Sequence, residues 1–230
     1  MHPRHTITRI LSTTLITAGL VVLLDAGTTL LWQEPVSAAY GTLQQDRAAD
    51  ELADLESSFV ADAEGATTDT GRAKVLAKKF ASEISKGDAI GRIKIDSIGV
   101  SFVLLNGTDT ATLQTGPGRY PQTPLPGLGS TTGIAGHRTT YQAPFRKINE
   151  IDKGDEIRVE MPYAAFTYTV EKSKIVDPSD VQILDPVGYD RVVLTACHPL
   201  YSAAQRYAVF GKLSDVQTFA VDSDGRWTAP

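Results

Sequence analysis

The hydrophobic pattern changes character as the chain proceeds. From Ile10 to Leu31 nearly every residue is apolar or small, with Asp25 the only charge, and the stretch is long enough to cross a bilayer as a helix. Arg4 and Arg9 precede it and Glu34 and Asp46 follow, an asymmetry that puts the N-terminus in the cytoplasm. Trp32 stands where an interfacial aromatic anchor would sit. Asp25 would cost about 2.5–3.5 kcal/mol at the centre of a span and less near its edge, so the span is expected to be off-centre or short. Val36-Ser37-Ala38 has the small-residue character of a signal cleavage site. The length of the apolar run, with no clean end before Pro35, favours a retained anchor instead.

Beyond the anchor the pattern becomes helical. Residues 37–64 are rich in Ala, Leu, Gln, Asp and Glu, and apolar positions recur at helical spacing through Leu52, Leu55 and Phe59. The segment 65–71 is a linker by composition, and a second helix is predicted over 72–85. These helices read as a stalk that holds a domain off the membrane; the alternative is that they belong to one globular fold. At Gly87-Asp88 the style changes again. Short β-rich runs over 90–95, 100–105, 133–135, 156–160, 166–176, 192–195 and 207–212 alternate with turns such as Gly116-Pro117-Gly118 and Pro124-Leu125-Pro126-Gly127. Many short strands punctuated by turn residues predict a closed or nearly closed β-barrel. Short helices are expected over 109–114 and 144–149, and the chain after Asp215 reads as a loose extension. The predicted organisation is therefore a cytoplasmic segment 1–9, a membrane helix 10–31, a helical stalk and linker 32–87, a mainly β barrel domain 88–214 and a tail 215–230.

Composition narrows the function classes. With 42% hydrophobic and 21% charged residues the chain is globular rather than disordered or fibrous. A net charge of -5, with no dense Lys/Arg cluster, gives no basis for a nucleic-acid partner. The single cysteine, Cys197, excludes an intramolecular disulfide. Outside the cytoplasm its thiol stands unpaired in an oxidising compartment, where it is either buried and inert or used.

The surroundings of Cys197 favour use. Val192-Val193-Leu194-Thr195 should be a buried strand, and Pro199 cannot extend its ladder, so Cys197 sits at the strand's C-terminal edge. A thiol attacks as thiolate and needs a partner that generates or stabilises that charge. His2 and His5 precede the membrane segment, which leaves His137 and His198. Successive side chains in an extended segment point to opposite faces, so His198 is poorly aimed for its neighbour and is expected to shape the loop or pack locally. His137, at the end of the small-residue run Thr132-Gly133-Ile134-Ala135-Gly136, is the better partner. The polar segment Arg138-Thr139-Thr140-Tyr141 that follows reads as a turn. Acyl transfer also needs a group that steadies the developing oxyanion. Arg206 opens the strand that returns after the loop 200–205, which brings it near Cys197, and its guanidinium cannot deprotonate.

Together Ala135-Gly136-His137-Arg138-Thr139, Leu194-Thr195-Ala196-Cys197 and Arg206 resemble the signature of the sortase family. The stretch Thr115-Gly116-Pro117-Gly118-Arg119-Tyr120-Pro121, running on to Leu125-Pro126-Gly127, fits the same family. Cys197-His198-Pro199 with Ser202-Ala203 and Gln205-Arg206 is most similar to class E sortases of high-GC Gram-positive bacteria. The resemblance spans about residues 90–212. It implies an eight-stranded sortase-type barrel with short helices, on the outer face of a cell membrane. The implied activity is transpeptidation: cleavage of an LPxTG-like or, in class E, LAxTG-like sorting signal between Thr and Gly, then transfer to a peptidoglycan-precursor amine. By position, Cys197 is the nucleophile, His137 the general acid/base and Arg206 the group that binds the substrate carbonyl. Tyr120, Tyr141, Thr195 and Ala196 are candidate substrate-binding residues; Ala196 stands where many sortases carry Thr. No acidic cluster suggests a calcium-activated form, so neither a metal nor a cofactor is expected.

Three rivals are set against this reading. Papain-like hydrolases place the nucleophile before its histidine, at a helix N-terminus, the reverse of the order here. A non-catalytic, membrane-tethered wall-binding domain would leave Cys197 inert. A pilin-polymerising sortase often carries a lid and a second C-terminal span, and the absence of an apolar tail before Pro230 favours general protein anchoring.

Overall fold

The computed structural model describes residues 3–31, 35–59, 67–218, 220–221 and 227–228. Trp32, the start of the expected linker at Gly65 and half of the tail lie outside the described residues. Helix α1 runs over Pro3–Leu31. Its stretch Ile7–Thr28 is long and apolar enough to cross a membrane and none of it is buried against the rest of the chain. The threonines that interrupt it are not orphan polar groups: the hydroxyls of Thr13, Thr14 and Thr17 donate to the carbonyls of Arg9, Ile10 and Thr13 one turn back.

Helix α2 (Pro35–Ser58) and helix α3 (Asp69–Glu83) follow. α3 begins inside the expected linker because Thr68 caps it, its hydroxyl accepting from Gly71 N at 3.1 Å. Ala73, Leu76, Ala77 and Phe80 form its buried stripe. Phe80 meets Phe59 and Tyr163 at ring separations of 5.2 and 5.6 Å, so α3 closes over the core. Ala48 and Leu52 of α2 pack on Ala89, Val103 and Leu105. Both helices are therefore laid along the β domain, the alternative that the amphipathic pattern left open, and do not stand off from it as a stalk.

The strands are β1 (Ala89–Ile95), β2 (Val100–Asn106), β3 (Gly118–Arg119), β4 (Thr131–Ala135), β5 (Glu156–Met161), β6 (Ala164–Val176), β7 (Arg191–His198) and β8 (Gln205–Thr218). A short helix α4 (Thr110–Thr115), capped by Asp109, lies between β2 and β3. The eight strands close into a barrel in the order β1-β2-β3-β4-β7-β8-β6-β5. Most neighbours are antiparallel, but β2 with β3 and β4 with β7 run parallel. Inward side chains such as Ile93, Ile134, Phe166, Leu194, Ala196 and Val209 fill the interior.

The eight-stranded barrel agrees with the expected fold class, and three details differ from the expected elements. β3 is hidden in the Gly/Pro segment; a Cβ at Gly118 would stand 1.9 Å from the Gly107 carbonyl oxygen, so only glycine lets the chain pass there. The segment 144–149 forms turns leading into a single 3-10 turn at Ile148–Glu150. β8 continues past Asp215 to Thr218, pairing with β6 as far as Ala164, and Ala220–Val221 (β9) pairs with Trp227–Thr228 (β10).

Candidate active site

Strand register builds the site. Thr131–Ala135 of β4 pairs in parallel with Arg191–Thr195 of β7, so Ala135 lies beside Thr195 and both strands leave the barrel at the same rim. His137 and Cys197 each follow their paired residue by the same two steps. On the other side β8 runs antiparallel to β7 and pairs Arg206 with Cys197. Neighbouring strands are about 4.8 Å apart. Cysteine, histidine and arginine are thus carried by three adjacent strands, at one end of the barrel.

Alternation fixes what faces where. Val192, Leu194 and Ala196 point into the core, whereas Val193 packs outside with Val176, Ala208 and Phe210. Thr195 and Cys197 share that outer face. Cys197 is a half-buried free thiol. It lines a groove of about 340 Å³ with Arg138, Thr139, Pro199, Tyr201, Ser202 and Ala203. His137 is half-buried, its ring 5.2 Å from that of Tyr141 and its carbonyl accepting from Phe145 N at 3.0 Å. Burial disfavours the imidazolium and lowers its pKa below the ordinary 6.5, so the imidazole is neutral at pH 7. The Arg206 Nη1 donates to the carbonyls of Ala203 and Gln205, each at 2.9 Å, which curls the side chain onto its own loop.

The other candidate residues separate. The Tyr120 hydroxyl and the Thr195 hydroxyl are hydrogen-bonded at 2.8 Å. The Tyr120 ring lies over Gly133, where an added Cβ would come within 2.8 Å of it. Arg119 secures that loop, donating to Asn106 Oδ1 and to the carbonyls of Tyr120 and Thr123. Tyr141 packs on His137. Ala196, 3% exposed and part of the barrel core, does not line the groove. His198 lies on the face opposite Cys197, its ring 5.8 Å from Tyr207.

Arg138, read as part of a polar turn, is a component that sequence reasoning missed. It is 4% exposed. Its Nη1 donates to the Cys197 carbonyl at 3.3 Å and lies 3.0 Å from His198 Nδ1; its Nη2 donates to Asn149 Oδ1, and its Nε to the Arg146 carbonyl at 3.4 Å. The guanidinium also lies 6.0 Å from the Tyr207 ring centre. One buried cation therefore ties the segment after β4 to the end of β7. The signal available was position: Arg138 lies three residues beyond Ala135 as His198 lies three beyond its register partner Thr195, which sets the two side by side.

The Sortase domain family profile matches residues 93–214. Sortase D of Bacillus subtilis is 32% identical over 155 residues, covering 66% of this chain and 75% of its own. Among solved structures, a Clostridium perfringens Sortase D5 transpeptidase superposes with a TM-score of 0.62 at 25% identity, covering 75% of this chain and 99% of its own. Sortase E1 of Streptomyces coelicolor, solved with a tripeptide in its active site, gives 0.56 at 29% identity over 57% of this chain and 91% of its own. The chain belongs to the sortase family, whose members are cysteine transpeptidases.

Proposed function

We propose that the chain is a membrane-anchored sortase that cleaves an LAxTG-like or LPxTG-like C-terminal sorting signal between Thr and Gly and transfers the acyl product to a cell-wall amine. The observation that carries the reading is the register that brings Cys197, His137 and Arg206 to one rim of three adjacent strands. In the proposed reaction neutral His137 takes the proton of the Cys197 thiol as the sulfur attacks the Thr carbonyl. Arg206, swung from its loop carbonyls, donates to the oxygen as it gains charge. As the C–N bond breaks, His137 gives a proton to the departing glycine amine, leaving a thioester on Cys197. An amine of a peptidoglycan precursor then attacks the thioester, His137 accepts its proton, and the thiolate is released.

The groove beside Cys197, lined by Thr139, Pro199, Tyr201, Ser202 and Ala203, is the proposed seat of the signal. Sortase E1, solved with a tripeptide in its active site, supports reading this as a peptide-binding site. The apolar α1 supports anchorage with the N-terminus in the cytoplasm and the barrel outside.

The test is direct. The full chain in detergent, given an LAxTG or LPxTG peptide and an amine acceptor, should yield the transpeptidation product. Cys197→Ala should yield none; full activity in that variant excludes the mechanism. The ratio of rates for the two peptides identifies the preferred signal.

A further inference from the structure

We infer that the first turns of α2 position the catalytic histidine, acting on His137 through Tyr141, so that the helix leaving the membrane segment is a working part of the active site. The inference rests on the proposed role of His137.

Contacts run without a gap from helix to imidazole. The backbone N–H of Tyr141 donates to Ser37 Oγ at 3.1 Å. The Tyr40 ring meets the Tyr141 ring edge-on at 6.3 Å, and the Tyr141 ring lies 5.2 Å from His137. One turn of α2 rests directly on the same loop: a Cβ at Gly41 would stand 3.2 Å from the Tyr141 carbonyl carbon and from Gln142 Cγ. Tyr141 is thus packed between Tyr40 and His137.

The loop needs such a support. Tyr141, Gln142 and Ala143 have φ values of 50°, 60° and 44°, three consecutive non-glycine residues in the left-handed region. That conformation is disfavoured for each and persists only where its surroundings impose it. Within the loop, Ala143 N donates to the Thr140 carbonyl at 2.8 Å. Ser37, distant in sequence, adds the bond that fixes Tyr141. The helix is itself held in register further along, where Gln45 Oε1 accepts from Val103 N at 2.7 Å and Nε2 donates to the carbonyls of Val103 and Thr115. A shift of α2 along its axis would break the Gln45 bonds and withdraw Ser37 and Tyr40 together.

The same geometry limits where the enzyme works. Even fully extended, the chain from Leu31 at the end of α1 to Ser37 spans only about 20 Å. A membrane-embedded α1 therefore holds the His137 loop close to the bilayer surface.

The experiment uses the full chain in detergent micelles, with Tyr40→Ala alone and combined with Ser37→Ala, and Tyr40→Phe as the conservative control. Acylation by diethyl pyrocarbonate, read peptide by peptide by mass spectrometry, reports the exposure of His137 whether or not the protein is active. Both alanine variants should label several-fold faster at His137 than the parent, and Tyr40→Phe at the parental rate. In transpeptidation, kcat should fall about tenfold or more with KM little changed, because a small misplacement of a proton-transfer group is costly. Unchanged His137 labelling in the double variant overturns the inference. Faster labelling in a parent background that transfers no peptide leaves the brace intact and removes the proposed function instead.

Discussion

Cys197 and Arg206 are register partners across the antiparallel β7–β8 pair. Directly opposed residues project to the same face of a sheet, so the guanidinium needs only a side-chain rotation to reach a carbonyl bound at the thiol. In the free protein its Nη1 is held by the carbonyls of Ala203 and Gln205. In the proposed reaction substrate competes with those two bonds, which suits a group whose strongest interaction is made as charge develops.

Arg206→Ala should therefore lower kcat/KM for peptide transfer by about 10²–10³, the usual worth of one oxyanion donor. Arg206→Lys should recover little of it, since an ammonium lacks the planar fork. Steady-state transpeptidation kinetics, with iodoacetamide alkylation of Cys197 as a check that the thiol is intact, measures both. Parental kcat/KM in Arg206→Ala would remove this residue from the mechanism.

His137 titrates below its ordinary value of 6.5 because burial penalises its charged form. The unfolded chain then binds more protons than the folded one as pH falls below about 6.5, so the contribution of His137 to stability is complete above that pH and is lost as pH drops through the folded-state value. Urea unfolding between pH 7 and pH 5 should give a falling midpoint, and His137→Gln should flatten the slope. An equal slope in the variant would mean that other groups carry the dependence.

The sequence made some of this arrangement legible and concealed the rest for physical reasons. The run Val192–Thr195 announced a buried strand because every residue is apolar or β-branched, and the proline that follows Cys197-His198 marked its end. The partner of that strand left no local trace. β4 and β7 pair in parallel from distant parts of the chain, and hydrophobic periodicity carries no information about which buried strand lies beside which. β3 escaped notice because two residues in a Gly/Pro segment are too few to show a period. The amphipathic character of α2 and α3 was visible, but their apolar faces fit a partner helix as well as a barrel. Arg138 was misread because an arginine in a polar stretch is normally solvated, and the Asn149, His198 and carbonyl partners that bury it are assembled only by the tertiary fold.

Gly136 separates β4 from His137, and a Cβ there would come 2.6 Å from Cδ2 and 2.9 Å from Cε2 of the Phe145 ring. Phe145 is fully buried and its N–H holds the His137 carbonyl. Gly136→Ala must therefore displace either the ring or the histidine segment, at a cost of about 1–3 kcal/mol as overpacking. Activity should fall further than that loss of stability explains at a temperature where the variant is still folded. Thermal melting alongside transpeptidation at 25 °C separates the two effects; a variant with normal kinetics would show that the ring, not His137, moves.

Arg138 gives the most discriminating test of how the thiol is held. Its guanidinium joins the Cys197 carbonyl, His198 Nδ1, Asn149 Oδ1 and the Arg146 carbonyl in a space with almost no solvent access. Removing it leaves these half-buried and exposed acceptors without their charged donor, and a hydrogen bond to a charged group is worth about 1.5–3 kcal/mol. Arg138→Met keeps much of the apolar stem, and should lower the urea midpoint while loosening the end of β7 that carries Cys197. Arg138→Lys should fail to restore it, because a single ammonium cannot reach partners arranged around a planar fork. Hydrogen exchange localises the effect: the amides after Ala196 should lose protection while those of Val192–Leu194, in the centre of the strand, keep theirs. Uniform loss along β7 would mark Arg138 as a general stabiliser of the barrel, with no particular hold on the cysteine.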